Sequence, residues 1–256
     1  MHFLPMTPNL YQTIALSWLV IGLLVFIVLL NISAPYGRHN RSGWGPQIDN
    51  KLGWILMELV VLLVLSGFLW ISQMKPQFVT LIILSFFYLH YIHRSLIFPF
   101  FIRTKGKKMP LAIMLSAVGF NSMNGFLLGW FFTHLADYPD YWLTDSRFIF
   151  GTILFFAGMA INIRSDYYLI GLRKPGQTGY VLPQKGLFRW VSCPNHFGEI
   201  LEWTGFAILT WSLPGLVFAV WTFANLAPRA RAHHFWYLEK FPDYPIERRI
   251  LIPFIW

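Results

Sequence analysis

Seven long apolar runs, at 10–32, 52–72, 78–102, 111–135, 148–170, 197–211 and 213–237, dominate this 256-residue chain, each bounded by proline, glycine or charge. A run of about 20 apolar residues coiled as α-helix spans the hydrocarbon core of a bilayer, and a helix satisfies its own backbone where no water can. Composition agrees: 56% of residues are hydrophobic and only 12% charged, against about a quarter charged in soluble domains. The pattern predicts an all-α polytopic integral membrane protein with seven transmembrane helices and one domain, 1–256. The last two runs are the weakest, because only Ser212-Leu-Pro-Gly215 separates them and Pro228 lies inside the seventh.

Positive charge sorts the loops by side. Arg38, Arg41 and Lys51 follow the first run, and Arg103, Lys105, Lys107 and Lys108 follow the third. Arg173, Lys174, Lys185 and Arg189 follow the fifth, and Lys240, Arg248 and Arg249 come after the last. The loop after the fourth run instead holds Asp137, Asp140 and Asp145. Cytoplasmic loops concentrate Lys and Arg, so the N-terminus is expected outside and the C-terminus in the cytoplasm. The net charge of +9 is read as this topology signal, and no nucleic-acid partner is expected. The first run is too long for a signal-peptide core and has no Lys or Arg before it, so it reads as a retained helix. The single cysteine, Cys193, excludes an intramolecular disulfide. Neither G-x-G-x-x-G after a strand nor G-x-x-x-x-G-K-[ST] occurs, so any nucleotide must be held by a non-Rossmann solution.

Ionisable groups inside lipid-adapted chain are costly and mark sites. Asn195, Glu199 and Glu202 are spaced i, i+4, i+7, while Arg229, His233, Trp236 and Tyr237 fall at i, i+4, i+7, i+8, so each set shares one helical face. Two such stripes point to one ligand held between two helices. Asn162 and Asp166, at i and i+4, end the fifth run just before Arg173 and Lys174. Amide and carboxylate suit ribose hydroxyls and a carboxamide, and Arg and Lys suit phosphate, although those two cations serve equally as topology anchors. His90, His93 and Arg94, like His233 and His234, lack the further ligands a metal site needs, so no metal is expected. Gly125-x-x-x-Gly129 is expected to mark close packing inside the bundle.

Several segments together resemble the steroid 5α-reductase family. They are Trp54-Ile-Leu-Met-Glu58-Leu, Leu89-His-Tyr91-Ile-His-Arg94, Gly158-Met-Ala-Ile-Asn162-Ile-Arg-Ser-Asp166-Tyr, Leu172-Arg-Lys-Pro-Gly176, Pro194-Asn-His-Phe-Gly-Glu199 and Leu251-Ile-Pro-Phe. The likeness runs from about Gly53 to the C-terminus; the first fifty residues carry almost no specific match and are expected to line the lipid-side entrance. The resemblance implies a seven-helix fold, NADPH as cofactor, and reduction of the 4,5 double bond of a 3-oxo-Δ4-steroid. It implies that Glu58 and Tyr91 are catalytic and grip the 3-oxo group. It assigns the cofactor to Asn162, Asp166, Arg173, Lys174, Tyr180, Asn195, Glu199, Arg229, His233 and Tyr237. The cofactor side then lies mainly in 158–240 and the substrate side mainly in 10–135.

The chemistry is coherent. Hydride delivery to an enone builds negative charge on the carbonyl oxygen, and a donor aimed there lowers the barrier most. Tyr91 supplies a phenol O–H, and Glu58, as a neutral acid in an apolar helix, can donate to the same oxygen or orient the tyrosine. Several cations for one dinucleotide favour NADPH, whose 2′-phosphate needs matching charge. The expected partners are a lipophilic steroid entering from the bilayer and membrane lipids, with no obligate protein partner. The membrane is a bacterial inner membrane or the endoplasmic reticulum, with cofactor arriving from the cytoplasm. Alternatives are a reductase of another lipid enone or enoyl thioester, an S-adenosylmethionine-dependent methyltransferase, and a transporter. A methyltransferase has no use for an acid and a phenol aimed at an enone oxygen, and the paired broken helices of a transporter are not visible.

Overall fold

The computed structural model describes residues 6–39, 41, 43–72, 76–103, 106–172 and 179–256. Its long helices are α1 (Pro8–Asn31), α2 (Asn50–Ile71), α3 (Phe78–Ile92), α5 (Leu111–Trp130), α6 (Ser146–Gly171), α7 (Pro194–Thr210) and α8 (Leu213–Lys240), and the short α4 (Phe98–Phe101) continues α3. Helices start where the sequence supplies an acceptor for orphan N–H groups. Asp49 caps α2 through the N–H groups of Lys51 (2.9 Å) and Leu52 (3.0 Å), Asp145 caps α6 through that of Arg147 (2.8 Å), and Ser212 caps α8 through that of Gly215 (3.2 Å). Each expected run is helical. The helix α7 begins at Pro194, three residues before the expected 197, since proline is pre-set for a first turn. The helix α8 continues through Pro228, whose expected disturbance does not end it.

Among the described residues, five helices are long and apolar enough to cross a membrane: α1, α2, α3 through α4, α5 with the turn that follows it, and α6. Large apolar side chains such as Leu24, Ile27, Leu63, Phe100 and Ile153 cover their outer faces. This is the surface of an integral membrane protein, one that faces lipid where a soluble protein would face water. The shorter α7 and the arginine- and histidine-bearing α8 fall outside that criterion.

Pairs of helices build the bundle. The seam between α2 and α5 is parallel: a Cβ at Gly125 would stand 3.0 Å from Val64 and 3.1 Å from the Val61 carbonyl, and one at Gly129 would collide with Phe68. The Gly125-x-x-x-Gly129 motif thus packs inside the chain. Against α8 lies α1, with Gly22 beneath the Trp221 indole and Trp18 and Trp221 ring centroids 4.6 Å apart. The seam between α6 and α7 is antiparallel and tighter. A Cβ at Gly151 would lie 2.7 Å from the Gly205 carbonyl, and one at Gly158 would lie 2.5 Å from the Gly198 carbonyl. Gly151 and Gly158, like Gly205 and Gly198, are seven residues apart, so two turns of each helix present bare backbone to the other.

Between α3 and α4 the chain makes a π-helical turn, His93–Ile97. Pro99 lacks the N–H that a continuous α-helix would direct at the Ser95 carbonyl, and the wider turn accommodates that loss. The turn carries Arg94. A two-stranded antiparallel ribbon, β1 (Gln47–Asp49) with β2 (Lys108–Pro110), ties the loop after α1 to the start of α5.

Because backbone atoms line both sides of the α6–α7 seam, Gly158→Ala has no flexible neighbour to displace. It should lower stability by about 1–3 kcal/mol or more, read as a lowered denaturation midpoint in detergent. Gly67→Ala, with nothing among the described residues within 4 Å of the new Cβ, is the control and should leave the midpoint unchanged or raised.

Candidate active site

The seam between α6 and α7 brings four predicted residues together. The Asn162 amide on α6 donates to the Asn195 carbonyl (3.0 Å) and to the Glu199 carboxylate (3.2 Å), while the Asn195 amide on α7 donates to Asp166 (2.9 Å). Two carboxylates in this setting need a cation, and Arg94 from the π-helical turn supplies it. Its guanidinium reaches Asp166 at 2.9 Å and Glu199 at 3.5 Å. The Trp54 and Phe98 rings, themselves 5.6 Å apart, pack side by side against the same group, with centroids at 4.8 and 4.9 Å, and the Trp54 indole N–H donates to the Arg94 carbonyl (3.2 Å). Glu202, 0% exposed, turns away from this network and pairs with His90 at 2.8 Å.

Two cavities flank the network. One, of about 610 Å³, is lined by Arg38, Arg103, Lys107, Lys108 and Arg229 together with Asp166, Tyr180, His233 and Tyr237. The other, of about 570 Å³, is walled by Trp18, Phe120, Trp203, Phe218 and Trp221 and carries Glu58, Tyr91, Arg94, Asn121 and Glu199. Trp54 and Arg229 line both. Glu58 comes from α2, and Tyr91 is a buried residue of α3 whose ring packs on Phe87 (4.8 Å) and Trp203 (5.7 Å). The catalytic pair expected from the sequence therefore shares one apolar cavity. Of the ten cofactor residues expected, Asp166, Tyr180, Arg229, His233 and Tyr237 line the cationic cavity. Asn162, Asn195 and Glu199 form the wall behind it, and Arg173 and Lys174 lie outside the described residues.

The stripe on α7 meets α6 and α3, whereas that on α8 meets the loop after α1. The Arg229 guanidinium sits 3.5 Å from the Tyr36 ring centroid and donates to the Tyr36 carbonyl (3.3 Å). Arg38 packs over Tyr180, Trp236 and Tyr237, with ring centroids at 5.3, 4.7 and 4.7 Å. His39 and His233 share a 2.8 Å hydrogen bond and stack. Burial, reinforced by Arg229, Arg38 and Arg41, lowers the pKa of His39 to about 4, so at neutral pH its ring is uncharged.

Sequence reasoning missed Arg94, the one Lys or Arg inside the run 78–102; the rule that intramembrane charge marks a site would have found it. It also read the loop after α1 only as a topology signal and part of the lipid-side entrance. Arg38 and Tyr36 carry no spacing signal, because they reach the site only through the packing of α1 on α8.

A family model described as "3-oxo-5-alpha-steroid 4-dehydrogenase" matches residues 107–256. The chain is 43% identical over 247 residues to a Bos taurus protein named 3-oxo-5-alpha-steroid 4-dehydrogenase 1, covering 94% of this chain and 96% of that one. It is 43% identical over 256 residues to a Gossypium hirsutum steroid 5-alpha-reductase (97% and 98% covered), and 42% identical to the Homo sapiens 3-oxo-5-alpha-steroid 4-dehydrogenase 1 (94% of each). The likeness therefore extends into the first fifty residues, contrary to the expectation that it starts near Gly53. The structure supplies the reason, since those residues form walls of both cavities.

Arg94→Met should leave Asp166 and Glu199 uncompensated and cost about 3–5 kcal/mol, seen as a lower unfolding midpoint. Adding Asp166→Asn and Glu199→Gln should recover much of it. An unchanged midpoint in the single variant would mean that the carboxylates do not depend on this guanidinium.

Proposed function

The chain belongs to the 3-oxo-5-alpha-steroid 4-dehydrogenase family and is an oxidoreductase, and from that premise we propose that it reduces the 4,5 double bond of 3-oxo-Δ4-steroids with NADPH. The observation that carries this reading is the junction of two chemically unlike cavities at Trp54 and Arg229. Five cations around one cavity match the phosphates of a dinucleotide, the 2′-phosphate included. Arg38 adds an Nη1 atom that is buried without a hydrogen-bond partner among the described residues, as a site made for an anion would. The other cavity has aromatic walls for a flat apolar ligand and only a few polar groups to orient it.

NADPH, when bound, would supply the hydride that adds at C5, and a proton taken up from solvent at C4 would complete the reduction. The protein's task is to hold the enone and stabilise the charge that develops on its 3-oxo group. Tyr91 and Glu58 project into the apolar cavity from two different helices, and each has an O–H to donate to that oxygen. Both act where water is excluded, so their dipoles are worth more than in bulk solvent and need no reorganisation as charge forms. Asn162, Asn195, Asp166 and Glu199, held by Arg94, would orient the carboxamide and ribose. Arg229 and His233, with Arg38, would hold the phosphates. The whole chain, 1–256, works as one domain, with the cofactor side mainly in 158–240 and the substrate side mainly in 10–135. The seven long helices span the bilayer with the N-terminus outside and the C-terminus cytoplasmic. Cofactor enters from the cytoplasm, and the lipophilic steroid enters from the bilayer.

Incubation of the purified protein with NADPH and a panel of 3-oxo-Δ4-steroids should yield 5α-reduced products by mass spectrometry and NMR; none would refute the reading. Tyr91→Phe and Glu58→Gln should lower turnover by about 10²-fold while NADPH still binds, with Glu58→Ala worse than Glu58→Gln. Parent-rate turnover by Tyr91→Phe would leave that residue a packing role only.

Topology is checked separately. A reporter fused after Trp256 should be cytoplasmic and one inserted near Asp140 external. Both on one side would exclude seven spans.

A further inference from the structure

One polar residue of the apolar cavity has no part in the scheme above. Asn121 lies on α5, is 4% exposed, and lines the cavity beside Glu58. Its amide nitrogen donates to the carbonyl of Met57, the residue preceding Glu58, at 2.6 Å. Glu58 is the next residue on α2 and lines the same cavity as Asn121. An amide NH₂ has two hydrogens, so one can be spent on the Met57 carbonyl and the other on the acid.

The α2–α5 seam makes this reach possible. Asn121, Gly125 and Gly129 fall at i, i+4 and i+8 on one face of α5. The two glycines allow α5 to approach Val61, Val64 and Phe68 on α2, so a side chain as short as asparagine touches the neighbouring backbone. The Met57 carbonyl is an acceptor only, and a bond to it settles which end of the amide is the nitrogen. The donor end is therefore turned toward α2, where Glu58 follows.

A neutral carboxyl has one oxygen that accepts and one that donates. For Glu58 to donate to a steroid oxygen, its O–H must face the cavity and its C=O must face elsewhere. We propose that Asn121 is a positioning residue that receives the Glu58 C=O on its second amide hydrogen, so that the O–H is presented to the 3-oxo group. This inference rests on the reading of Glu58 as a donor to the substrate carbonyl. Asn121 touches neither substrate nor cofactor in this role; it acts through Glu58. Losing it should lower the rate of the reducing step rather than steroid or NADPH binding.

A double-mutant cycle separates positioning from packing. Asn121→Leu keeps the branched arrangement of heavy atoms and removes both N–H groups. With a 3-oxo-Δ4-steroid and NADPH, it should lower kcat by about tenfold, the scale of one oriented hydrogen bond, with KM and NADPH affinity changed by less than about threefold. In a Glu58→Ala background the same change should cost less than about threefold, because there is no donor left to orient. Equal losses in both backgrounds, a loss confined to KM, or no loss would overturn the proposal. Should Asn121→Leu fail to bind NADPH or run as an aggregate, Asn121→Asp takes its place in the same cycle. It keeps the shape and has at most one hydrogen to divide between Met57 and Glu58, so the same non-additivity is expected. If the unsubstituted enzyme does not reduce the steroid at all, the proposed function fails; if it does and the cycle is additive, only the role of Asn121 fails.

Discussion

In lipid, helices gain nothing from hiding apolar surface, so their association rests on close packing and hydrogen bonds. The α6–α7 seam takes this to its limit, with Gly151 and Gly158 on one helix facing Gly205 and Gly198 on the other. That contact sets the distance across which Asn162 meets Asn195 and Glu199, and Asn195 meets Asp166. A side chain at any of the four glycines would push the helices apart and open these bonds together. The polar wall between the cavities is thus held by backbone geometry, which is stiffer than any loop.

Charge balance is the second constraint. Asp166 and Glu199 would be intolerable side by side without a cation, and Arg94 answers both while the Trp54 and Phe98 rings pack against it. Arginine suits this post because its planar fork can serve two acceptors and stack at once. The π-helical turn around Arg94 is the local price of Pro99, and it lies where α3 passes the wall. The same wall divides a cavity ringed by cations from one with aromatic walls, where Glu58 and Tyr91 lie.

The loop after α1 shows how much of the site depends on contacts between distant segments. Tyr36, Arg38 and His39 meet Arg229, Tyr237 and His233 across almost two hundred residues of chain. Their places follow from α1 lying on α8, where Gly22 accommodates the Trp221 indole. A loop rich in Arg and His next to an apolar run reads equally well as a topology anchor. Only its neighbours in space distinguish the two.

The succession of apolar runs determined the all-α membrane architecture, because a bilayer accepts little else, and helical spacing placed Asn162 with Asp166 and Asn195 with Glu199 on common faces. Glu58 and Tyr91 stood out as polar groups in apolar helices, and the structure brings them to one cavity. Spacing within a helix cannot say which helix lies opposite, so it left Arg94 unassigned, treated Glu202 as a companion of Glu199, and gave Asn121 no role. Those assignments were decided by the tertiary structure, through which seams close at glycine and which carbonyls and carboxylates come within hydrogen-bonding distance when they do.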